Sequence, residues 1–377
     1  MHVGIDASNV RGGGGVTYLS NMLGALEPKP YGVTRVTIWG GKDTLQHLPT
    51  REWLDLAHVP ALDGNLVARL RWQMTALPQH LRMVDILYAP SGTYTGQFRP
   101  YVAISRNMLP FQPEERRRYG VSWQRFRLFL LRVAQRRTFQ RAAGSIFLTS
   151  FAHETIEAVT GQLGGHVAVI PHGVADIFRC PPRPASDANA PVRWLYVSTV
   201  NVYKHQWNVV EAVGRLRAQG LNVTLTLVGD GYGPSLQRLT TVMRDIDPEG
   251  AFVRYRPAVT RPELAALYRD ADAFVFASTC ENMPNILVEA MASGLPIVCS
   301  DRRPMPDVLG DAGLYCDVES IDALTAAMST LSRDADVRAS FACRAHAAAE
   351  RFSWTRCADA TFALIARAYE THARQST

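Results

Sequence analysis

The sequence predicts an α/β protein with two doubly wound parallel-sheet domains. Its 377 residues are too many for one ordinary core and fit two domains of about 170 residues each. Short apolar runs rich in Val, Ile, Leu and Phe alternate with helix-length segments, which is typical of parallel strands covered by helices on both faces. A proline-rich polar stretch near the middle separates the two halves.

The apolar runs predict six strands in each half. Those of the first half are His2–Asp6, Val33–Trp39, Asp85–Ala89, Val102–Ile104, Gly144–Leu148 and Val167–Ile170. Those of the second half are Arg193–Val197, Val223–Val228, Phe252–Tyr255, Ala273–Ala277, Pro296–Cys299 and Leu314–Tyr315. Helices are expected between them, for example over Thr17–Leu26 and Trp123–Arg141.

The segment Cys180–Pro191 holds four prolines among twelve mostly polar residues, as linkers do. We therefore expect a first domain over 1–178, a linker over 179–191 and a second domain from 192 to 352, the two domains facing each other. Ligands of doubly wound sheets bind beyond the carboxyl ends of the strands, so the residues just after each strand are the functional candidates.

Composition narrows the class of protein. Apolar residues make up 47% of the chain, enough for sizeable cores and too many for a disordered protein. The six cysteines are scattered, without a CxxC pair, which favours a reduced, cytoplasmic compartment over a disulfide framework. Neither a signal peptide nor an apolar run of membrane-spanning length is evident, so a cytoplasmic location is expected.

The most informative motif follows the predicted strand Ala273–Ala277. Pro284 suits the first turn of a helix and Gly294 its end, so we expect a helix over about 284–293. Glu281 then lies in the loop at the mouth of this helix, and Glu289 lies within it among apolar residues. A buried carboxylate needs a partner, which the two hydroxyls of a ribose would supply. The helix N-terminus offers free N–H groups to a diphosphate or sugar.

The Glu281 and Glu289 pair, with its E-x7-E spacing and the following Ala292–Val298, resembles the motif of retaining glycosyltransferases of family 4, also called glycosyltransferase group 1, which have the GT-B fold. The resemblance implies a nucleotide-diphospho-sugar as the donor co-substrate and no cofactor. It also implies that Glu281 holds hydroxyls of the transferred sugar and Glu289 the nucleotide ribose. The donor-binding segment would include Asn282, Met283, Pro284, Asn285, Ile286 and Leu287.

Two further segments of the second half resemble this family. Lys204 matches a lysine that clamps the donor diphosphate and stabilises the charge of the leaving group. The family usually has Gly-Arg shortly before it, where this chain has Ser198 and Thr199, so either Lys204 works with another cation or diphosphate binding is weaker. Gly229 and Gly231 would bring the backbone close to the nucleotide, although a plain turn explains them equally well.

In the first half, four glycines follow the first strand. The segment is neither a P-loop nor a dinucleotide fingerprint, because no Gly-Lys-Ser/Thr follows and Thr17 replaces the last glycine. It is similar to the Gly-Gly loop of the family, although a flexible turn is the alternative. The resemblance places Gly14 and Gly15 on the donor side, and it places Arg11, Gly12, Gly13 and Tyr18 on the acceptor side.

After the strand Val102–Ile104, the family commonly has a histidine near the anomeric carbon, and this chain has Arg106 and Asn107. We expect both on the acceptor side, with Asn107 joining Glu281 and Lys204 as a catalytic residue. In retaining enzymes of this type the leaving diphosphate oxygen is thought to take the proton of the acceptor. The protein then chiefly positions the reactants and stabilises charge, so no histidine is required.

The segment Glu114–Arg141 is rich in arginine and in apolar residues. Its nine arginines are Arg116, Arg117, Arg118, Arg125, Arg127, Arg132, Arg136, Arg137 and Arg141. Such a helix either lies on an anionic membrane or packs its apolar side on the domain. Members of the family often work at the cytoplasmic membrane face on glycolipid acceptors, which agrees with the first alternative. No recognisable nucleic-acid module is present, so no nucleic acid partner is expected.

No metal is expected either. Asp245 and Asp247 lie in a predicted helix-end loop, and Asp270 and Asp272 precede a strand at its amino end, where ligands do not bind. At the end of the chain, Arg351–Trp354 resembles the start of the family's tail. This resemblance implies that a helix over 353–377 returns to the first domain.

The sequence therefore predicts a retaining, metal-independent hexosyltransferase. Its donor would be a nucleotide-diphospho-sugar, with GDP-mannose preferred on family frequency, and its acceptor a hydroxyl of a surface polysaccharide or lipid-linked oligosaccharide. The alternatives are a GT-B-shaped epimerase or phosphorylase and a non-catalytic nucleotide-sugar-binding scaffold. The last of these is suggested by the missing arginine and histidine.

Overall fold

The computed structural model describes residues 1–183, 190–231 and 233–376. Residues 184–189 of the predicted linker, and Tyr232 directly after Gly231, lie outside the described residues. The chain divides into two compact units. The first comprises Met1–Gly173 and Ser353–Thr377, and the second comprises Val174–Phe352.

Within the described residues, the first unit has a seven-stranded parallel sheet. Its strands are β1 (His2–Asp6), β2 (Arg35–Gly40), β3 (Leu54–His58), β4 (Ile86–Ala89), β5 (Tyr101–Ser105), β6 (Gly144–Phe147) and β7 (His166–Val169). Their order is β3-β2-β1-β4-β5-β6-β7, so the winding direction reverses between β1 and β4. This reversal is the topological switch point at which doubly wound sheets bind ligands.

The six strands predicted for this half are present, with ends shifted by one or two residues, and β3 was missed. β3 lies at the edge of the sheet, and its side chains alternate between buried or half-buried and more exposed positions. Leu54 is buried, whereas Leu56 is exposed. The strand therefore lacks the continuous apolar run by which the central strands were recognised.

Seven α-helices accompany this sheet before the chain enters the second unit. They are α1 (Gly14–Gly24), α2 (Lys42–Leu45), α3 (Leu66–Thr75), α4 (Leu77–His80), α5 (Pro113–Arg117), α6 (Trp123–Arg141) and α7 (Ser150–Thr160). Single 3-10 turns lie at Lys29–Tyr31, Pro60–Leu62 and Leu81–Met83. The bounds of α6 match the prediction, because Ser122 accepts a hydrogen bond from the N–H of Arg125 and so caps its first turn.

The described part of the second unit has a six-stranded parallel sheet. Its strands are β8 (Val192–Val197), β9 (Val223–Val228), β10 (Val253–Arg256), β11 (Ala273–Phe276), β12 (Ile297–Ser300) and β13 (Gly313–Cys316). All six match predicted strands, in the order β10-β9-β8-β11-β12-β13. The central strand β11 is entirely buried, which explains its unbroken apolar sequence. Here the switch point lies between β8 and β11.

The helices of the second unit follow its strands. They are α8 (Gln206–Ala218), α9 (Gly233–Ile246), α10 (Arg261–Asp270), α11 (Asn285–Ala292), α12 (Met305–Leu309), α13 (Ile321–Arg333) and α14 (Ala335–Ala349), with a 3-10 turn at Asp176–Phe178. The helix predicted over about 284–293 is confirmed as α11. Among the described residues, no helix is long and apolar enough to cross a bilayer.

The last helix, α15 (Trp354–Ser376), belongs to the first unit. It packs against α1 and against β4, β5, β6 and β7, and the side chains of Phe362 and Ile365 are fully buried there. A Cβ atom on Gly173 would come within 2.2 Å of the Trp354 backbone nitrogen, so this glycine permits the close approach of the two backbones. The first unit is therefore completed by the end of the chain.

We expect the Phe362→Ala substitution to destabilise the first unit by about 3 to 5 kcal/mol, because it leaves a cavity under α15. The measurement is chemical denaturation of the purified variant. The control is Arg367→Ala on the exposed side of the same helix, which should change stability by less than about 0.5 kcal/mol. Equal stabilities of the two variants would contradict the packing described.

Candidate functional site

In the second unit, the structure brings together two residues that the sequence placed 77 positions apart, Lys204 and Glu281. Lys204 lies between β8 and α8, and Glu281 lies between β11 and α11. Because β8 and β11 are adjacent parallel strands, their carboxyl ends meet at the same edge of the sheet. There the Lys204 ammonium donates a hydrogen bond to Oε1 of Glu281. The two side chains are only 7% and 15% exposed, so this is a largely buried ion pair.

Backbone contacts hold Lys204 in place. The Tyr196 hydroxyl donates to the Lys204 carbonyl at 2.6 Å, and the Lys204 N–H donates to the Asn201 carbonyl at 3.0 Å. The ammonium also lies 5.4 Å from the ring centroid of Phe276, within the range of a cation–π interaction. An ammonium has three N–H donors, and Glu281 takes one of them, so an anionic ligand can use the others.

His205, the next residue, is the only non-glycine residue with positive φ in the described chain (φ 48°). It is buried, its ring packs edge-on against Trp207, and its Nε2 lies 3.4 Å from the Thr279 hydroxyl. Left-handed backbone of this kind costs about 1 to 3 kcal/mol and concentrates at functional sites. At this position it turns the chain from the Lys204 loop into α8.

The two predicted glycines of this unit lie where two neighbouring loops approach each other closely. Gly229 has φ 138°, and a Cβ atom there would come within 2.3 Å of the Ser198 carbonyl oxygen. Gly231 forms an isolated parallel bridge with Val200, and its Cβ position is 2.9 Å from the Val200 Cβ. The structural reason for both glycines is thus the close approach of the β9–α9 loop to the β8–α8 loop. Whether the same backbone also contacts a nucleotide stays a prediction.

Thr199, which stands where the family usually has an arginine, is exposed. Its carbonyl accepts a hydrogen bond of 3.0 Å from Nε2 of Gln206. The other end of that amide, Oε1 of Gln206, is buried, and no donor in the described part of the chain reaches it. A buried acceptor without a donor is costly, so a ligand hydroxyl or N–H beside the Lys204 loop would be stabilised there.

Helix α11 places Glu289 as predicted, about one turn after its start at Asn285. The Tyr268 hydroxyl lies 3.3 Å from Oε2 of Glu289 and 3.2 Å from the Ile286 carbonyl, and it donates to these acceptors. Burial raises the pKa of Glu289 to about 7, although the nearby Arg261 and the Tyr268 hydrogen bond act in the opposite direction. The side chain is half-buried, so a ligand can still reach it.

The remaining residues of the predicted donor segment lie between the two glutamates. Pro284 is the N-cap residue of α11. Asn282, Met283, Pro284 and Leu287 are buried, and Asn285 and Ile286 are half-buried. The segment is therefore a packed loop that leads directly into the helix.

The sequence did not predict a role for four residues around this site: Tyr268, Arg261, His205 and Gln206. Tyr268 and Arg261 lie on α10, which precedes β11, and no motif links them to Glu289. Their proximity results from the packing of α10 beside α11. His205 and Gln206 directly follow Lys204, but no sequence pattern reveals a left-handed residue or an amide oxygen without a donor.

In the first unit, the predicted acceptor residues follow β1 and β5. Helix α1 begins at Gly14, and its N-cap residue Gly13 has a positive φ of 54°. Gly12, Gly13 and Gly14 are exposed. The Arg11 guanidinium donates long hydrogen bonds to the carbonyls of Asp63 and Gly64, at 3.3 and 3.4 Å. The glycine loop is thus an open turn that leads into a helix.

Tyr18 lies on α1, and Arg106 and Asn107 directly follow β5, which is separated from β1 by β4. Tyr18 is buried, with its hydroxyl 3.0 Å from that of Tyr88, and the Arg106 guanidinium lies 5.1 Å from the Tyr18 ring centroid. Asn107 is exposed, and its side-chain oxygen accepts a hydrogen bond from the N–H of Leu109. Asn107 therefore forms a local turn, and its catalytic role stays a prediction.

The two Asp-x-Asp motifs have protein partners. Asp247 accepts hydrogen bonds from three backbone N–H groups, at 2.7 to 2.9 Å, in the turn before β10. Asp272 pairs with Arg193 at 2.8 Å and with Arg183 at 3.2 Å. Both carboxylates thus contribute to the local structure.

The comparison with known families identifies the second unit. Residues 191–334 match the family model described as "Glycosyl transferases group 1". The second unit therefore contains a glycosyltransferase group 1 domain, as the E-x7-E motif indicated. O-antigen chain mannosyltransferase B from Escherichia coli is 29% identical to this chain over 167 residues. That match spans 44% of this chain and 44% of the relative, which is less than half the length of either.

Solved structures extend the similarity to nearly the whole chain. Sucrose-phosphate synthase from Thermosynechococcus elongatus has a TM-score of 0.73 and 15% identity, covering 96% of this chain and 97% of that one. Anabaena HepE, in complex with UDP and glucose, has a TM-score of 0.72 and 18% identity, covering 96% and 98%. These likenesses confirm the predicted GT-B fold, with two Rossmann-like parallel-sheet domains and a C-terminal helix.

The raised pKa of Glu289 predicts a pH-dependent stability. The folded protein binds this proton more tightly than the unfolded chain, whose glutamate has the ordinary pKa of 4.5. The stability contributed by protonated Glu289 is therefore lost as the pH rises from about 4.5 to about 7. The Glu289→Gln variant lacks this loss, so relative to wild type it should gain at most about 3 kcal/mol between about pH 5 and about pH 8.

Urea denaturation of both proteins at the two pH values measures this difference. Glu370→Gln, at an exposed position of α15, is the matched control, and the gain of Glu289→Gln should exceed the gain of this variant. A gain that is the same for the two variants would contradict the raised pKa of Glu289.

Proposed function

We propose that this protein is a retaining glycosyltransferase that moves a hexose from a nucleotide-diphospho-sugar to a hydroxyl of a glycan or glycolipid. The observation that carries the proposal is the largely buried ion pair of Lys204 and Glu281 at the carboxyl edge of the second sheet. It lies within a glycosyltransferase group 1 domain and beside the N-terminus of α11. This arrangement combines a fixed cation, a carboxylate and free backbone N–H groups, which suit a donor diphosphate and sugar.

Each residue then has a distinct role. Lys204 binds the diphosphate with the ammonium donors that Glu281 leaves unused. Glu281 accepts hydrogen bonds from hydroxyls of the transferred sugar. Glu289 accepts from the ribose diol, and such donors favour its ionised form over the protonated form that burial favours. Gln206 offers its buried amide oxygen to a further donor of the ligand.

The reaction follows from these roles. The bond between the anomeric carbon and the diphosphate oxygen breaks, and a bond from the acceptor oxygen to the same face of that carbon forms. The proton of the acceptor hydroxyl passes to the leaving diphosphate oxygen. Lys204 stabilises the negative charge that develops on the diphosphate. These steps require no metal, since Lys204 and the start of α11 supply positive charge.

We further propose mannose from GDP-mannose as the donor and a surface polysaccharide or lipid-linked oligosaccharide as the acceptor. Support for this choice is the sequence similarity to O-antigen chain mannosyltransferase B. The structure of HepE, in contrast, holds UDP and glucose. The nucleotide base is therefore the first property to measure.

The test is thermal stability and sugar transfer with a panel of GDP- and UDP-sugars, in the presence of EDTA. One nucleoside diphosphate class should stabilise the protein, by about 2.7 kcal/mol at a hundredfold excess over Kd. Lys204→Met should retain the fold and lose about 100-fold or more in the rate of transfer, because the leaving group is no longer stabilised. Glu289→Ala should weaken nucleotide binding.

Lys29→Met, an exposed lysine of the first unit, is the control for Lys204→Met and should transfer at the wild-type rate. Binding without transfer to any glycan or glycolipid acceptor would favour the non-catalytic scaffold. Inversion at the anomeric carbon in the product, seen by NMR, would exclude the retaining mechanism. Loss of activity in EDTA would exclude metal independence.

We also propose that the protein works on the inner face of the cytoplasmic membrane, which it contacts through α6. Four large apolar side chains of α6 are 47 to 71% exposed: Trp123, Phe126, Phe129 and Leu130. Leu128 and Phe139 are buried, so the helix packs on its own unit and still presents a second apolar surface. Between them lie exposed arginines such as Arg125 and Arg127. Arginines with exposed aromatic residues suit an anionic lipid surface.

Helix α3 also exposes large apolar side chains. Val67, Leu70 and Met74 are 72, 45 and 71% exposed. Burial lowers the pKa of Arg69 on the same helix, and the positive charges of Arg11 and Arg127 lower it further. Helix α3 thus also combines exposed apolar side chains with positive charge.

Sedimentation with vesicles of phosphatidylglycerol and phosphatidylcholine tests the contact. The double variant Trp123→Ser, Phe126→Ser should bind at least about tenfold more weakly than wild type, and wild-type binding should weaken in high salt. The matched control is Ile177→Ser, which removes a 44% exposed apolar side chain elsewhere on the chain and should bind as wild type does. Equal binding of wild type to purely neutral vesicles would contradict a role for the arginines.

A further inference from the structure

A cavity of about 510 Å³ lies at the amino ends of β5, β6 and β7 in the first unit. Its walls come from the residues that precede these strands, from the end of α6 and from the last turns of α15. The predicted acceptor residues follow β1 and β5, so they lie at the opposite, carboxyl edge of the same sheet. Small-molecule sites typically have volumes of about 300 to 1,000 Å³. The cavity is therefore large enough for a small ligand, in a part of the unit to which no function has been assigned.

Positive charge dominates the lining of this cavity. Its ionisable residues are Arg99, Arg141, His166 and His372, and no carboxylate lines it in the described chain. Within the same residues, neither arginine forms an ion pair with a carboxylate. Burial raises the pKa of Tyr101 to about 12, and the positive charges of Arg99 and Arg141 act in the opposite direction. Two cations therefore act on the same hydroxyl without an acid to balance them.

Contacts within the protein hold the Arg99 side chain in position. Its Nη1 donates to the carbonyls of Gly96 and Phe98, at 3.3 and 2.7 Å, and its guanidinium carbon lies 4.6 Å from the ring centroid of Tyr101. No acceptor among the described residues takes a hydrogen bond from its Nε or Nη2. A side chain that is already ordered loses less conformational entropy when a ligand binds. Arg99 is thus a fixed cation with donors to spare.

Other polar groups of the lining come from different elements. Nε2 of His166, at the start of β7, lies 3.0 Å from the Thr371 hydroxyl of α15. His372 follows on α15, and Arg141 is the last residue of α6. The cavity thus combines guanidinium, imidazole and hydroxyl groups, which can all donate hydrogen bonds to an anion.

The ends of nearby helices explain only part of this positive charge. Helix α6 ends at Arg141 and α15 at Ser376, and the C-terminus of a helix carries about half a negative unit charge. The two guanidinium groups together carry about two positive charges, so the two helix ends offset about half of them. Protonation of either histidine would increase the excess. An anion in the cavity would neutralise the remainder.

We propose that this cavity binds the phosphate monoester of a small molecule. Guanidinium groups suit phosphate because their planar N–H donors match two of its oxygens at once. The imidazoles and the Thr371 hydroxyl supply donors for the other oxygens. The volume exceeds what a phosphate group needs, so the cavity also has space for the rest of the ligand. The site uses none of the residues proposed for sugar transfer, so it can fail or hold independently of the proposed function.

Hydrogen–deuterium exchange tests the site locally, with glucose 6-phosphate as the probe. This probe should slow exchange in wild-type peptides covering residues 138–143 and 164–168, and glucose should not. Arg141→Gln should raise the concentration for half-maximal protection about ten- to hundredfold, and Arg141→Lys should raise it less. Arg82→Gln replaces an exposed arginine that precedes β4 and does not line the cavity, so it should behave as wild type does. Thermal unfolding verifies that each variant is folded.

A phosphate monoester can come from a soluble molecule or from a lipid headgroup, and vesicles of phosphatidic acid and phosphatidylcholine distinguish the two. Protection by glucose 6-phosphate shows that a soluble ester enters the cavity. Protection by the vesicles alone, with loss of that protection in Arg141→Gln, assigns the phosphate to a lipid headgroup. The proposal is overturned if neither probe protects the two peptides in folded wild type, or if Arg141→Gln is protected as well as wild type. Equal protection by sodium chloride at the same ionic strength would also overturn it.

Discussion

The candidate site of the second unit depends on the ion pair between Lys204 and Glu281. Removing two charges from water costs several kcal/mol for each ion, and the pair is stable only where geometry and further contacts compensate. The compensation here comes from the sheet itself. Because β8 and β11 are adjacent and parallel, their loops leave the same edge, and the Tyr196 hydroxyl and the Asn201 carbonyl hold the lysine backbone in place. The left-handed backbone conformation of His205 also destabilises this loop, and such conformations concentrate at ligand sites.

Near this pair, two polar groups of the second unit have incomplete partners within the protein. Glu289 has Tyr268 as a hydrogen-bond partner and yet a raised pKa, and one atom of the Gln206 amide is buried without a donor. Such groups are unfavourable in isolation and become favourable when a ligand of the opposite polarity binds. The proposed donor, a nucleotide-diphospho-sugar, would supply hydroxyls and ring N–H groups to them.

Much of the fold was predictable, and the exceptions have physical reasons. Buried parallel strands such as β11 are apolar throughout because helices cover both faces, so their sequences are recognisable without a structure. The edge strand β3 is half-exposed and lacks this signal. Helix α11 was predictable because Pro284 and Gly294 mark its ends. The placement of Glu281 in the loop before it and of Glu289 within it followed from those two residues.

By itself, the sequence determined the two parallel-sheet domains and the E-x7-E motif with its two glutamates. Both depend on local patterns of a few neighbouring residues. Only the tertiary structure decided which distant side chains share a site. That Lys204 pairs with Glu281 follows from strand adjacency, that Tyr268 bonds Glu289 follows from the packing of α10 beside α11, and that Arg106 lies against Gly15 follows from the order of β1, β4 and β5 in the first sheet. Such contacts join residues far apart in the chain, and no local pattern encodes them.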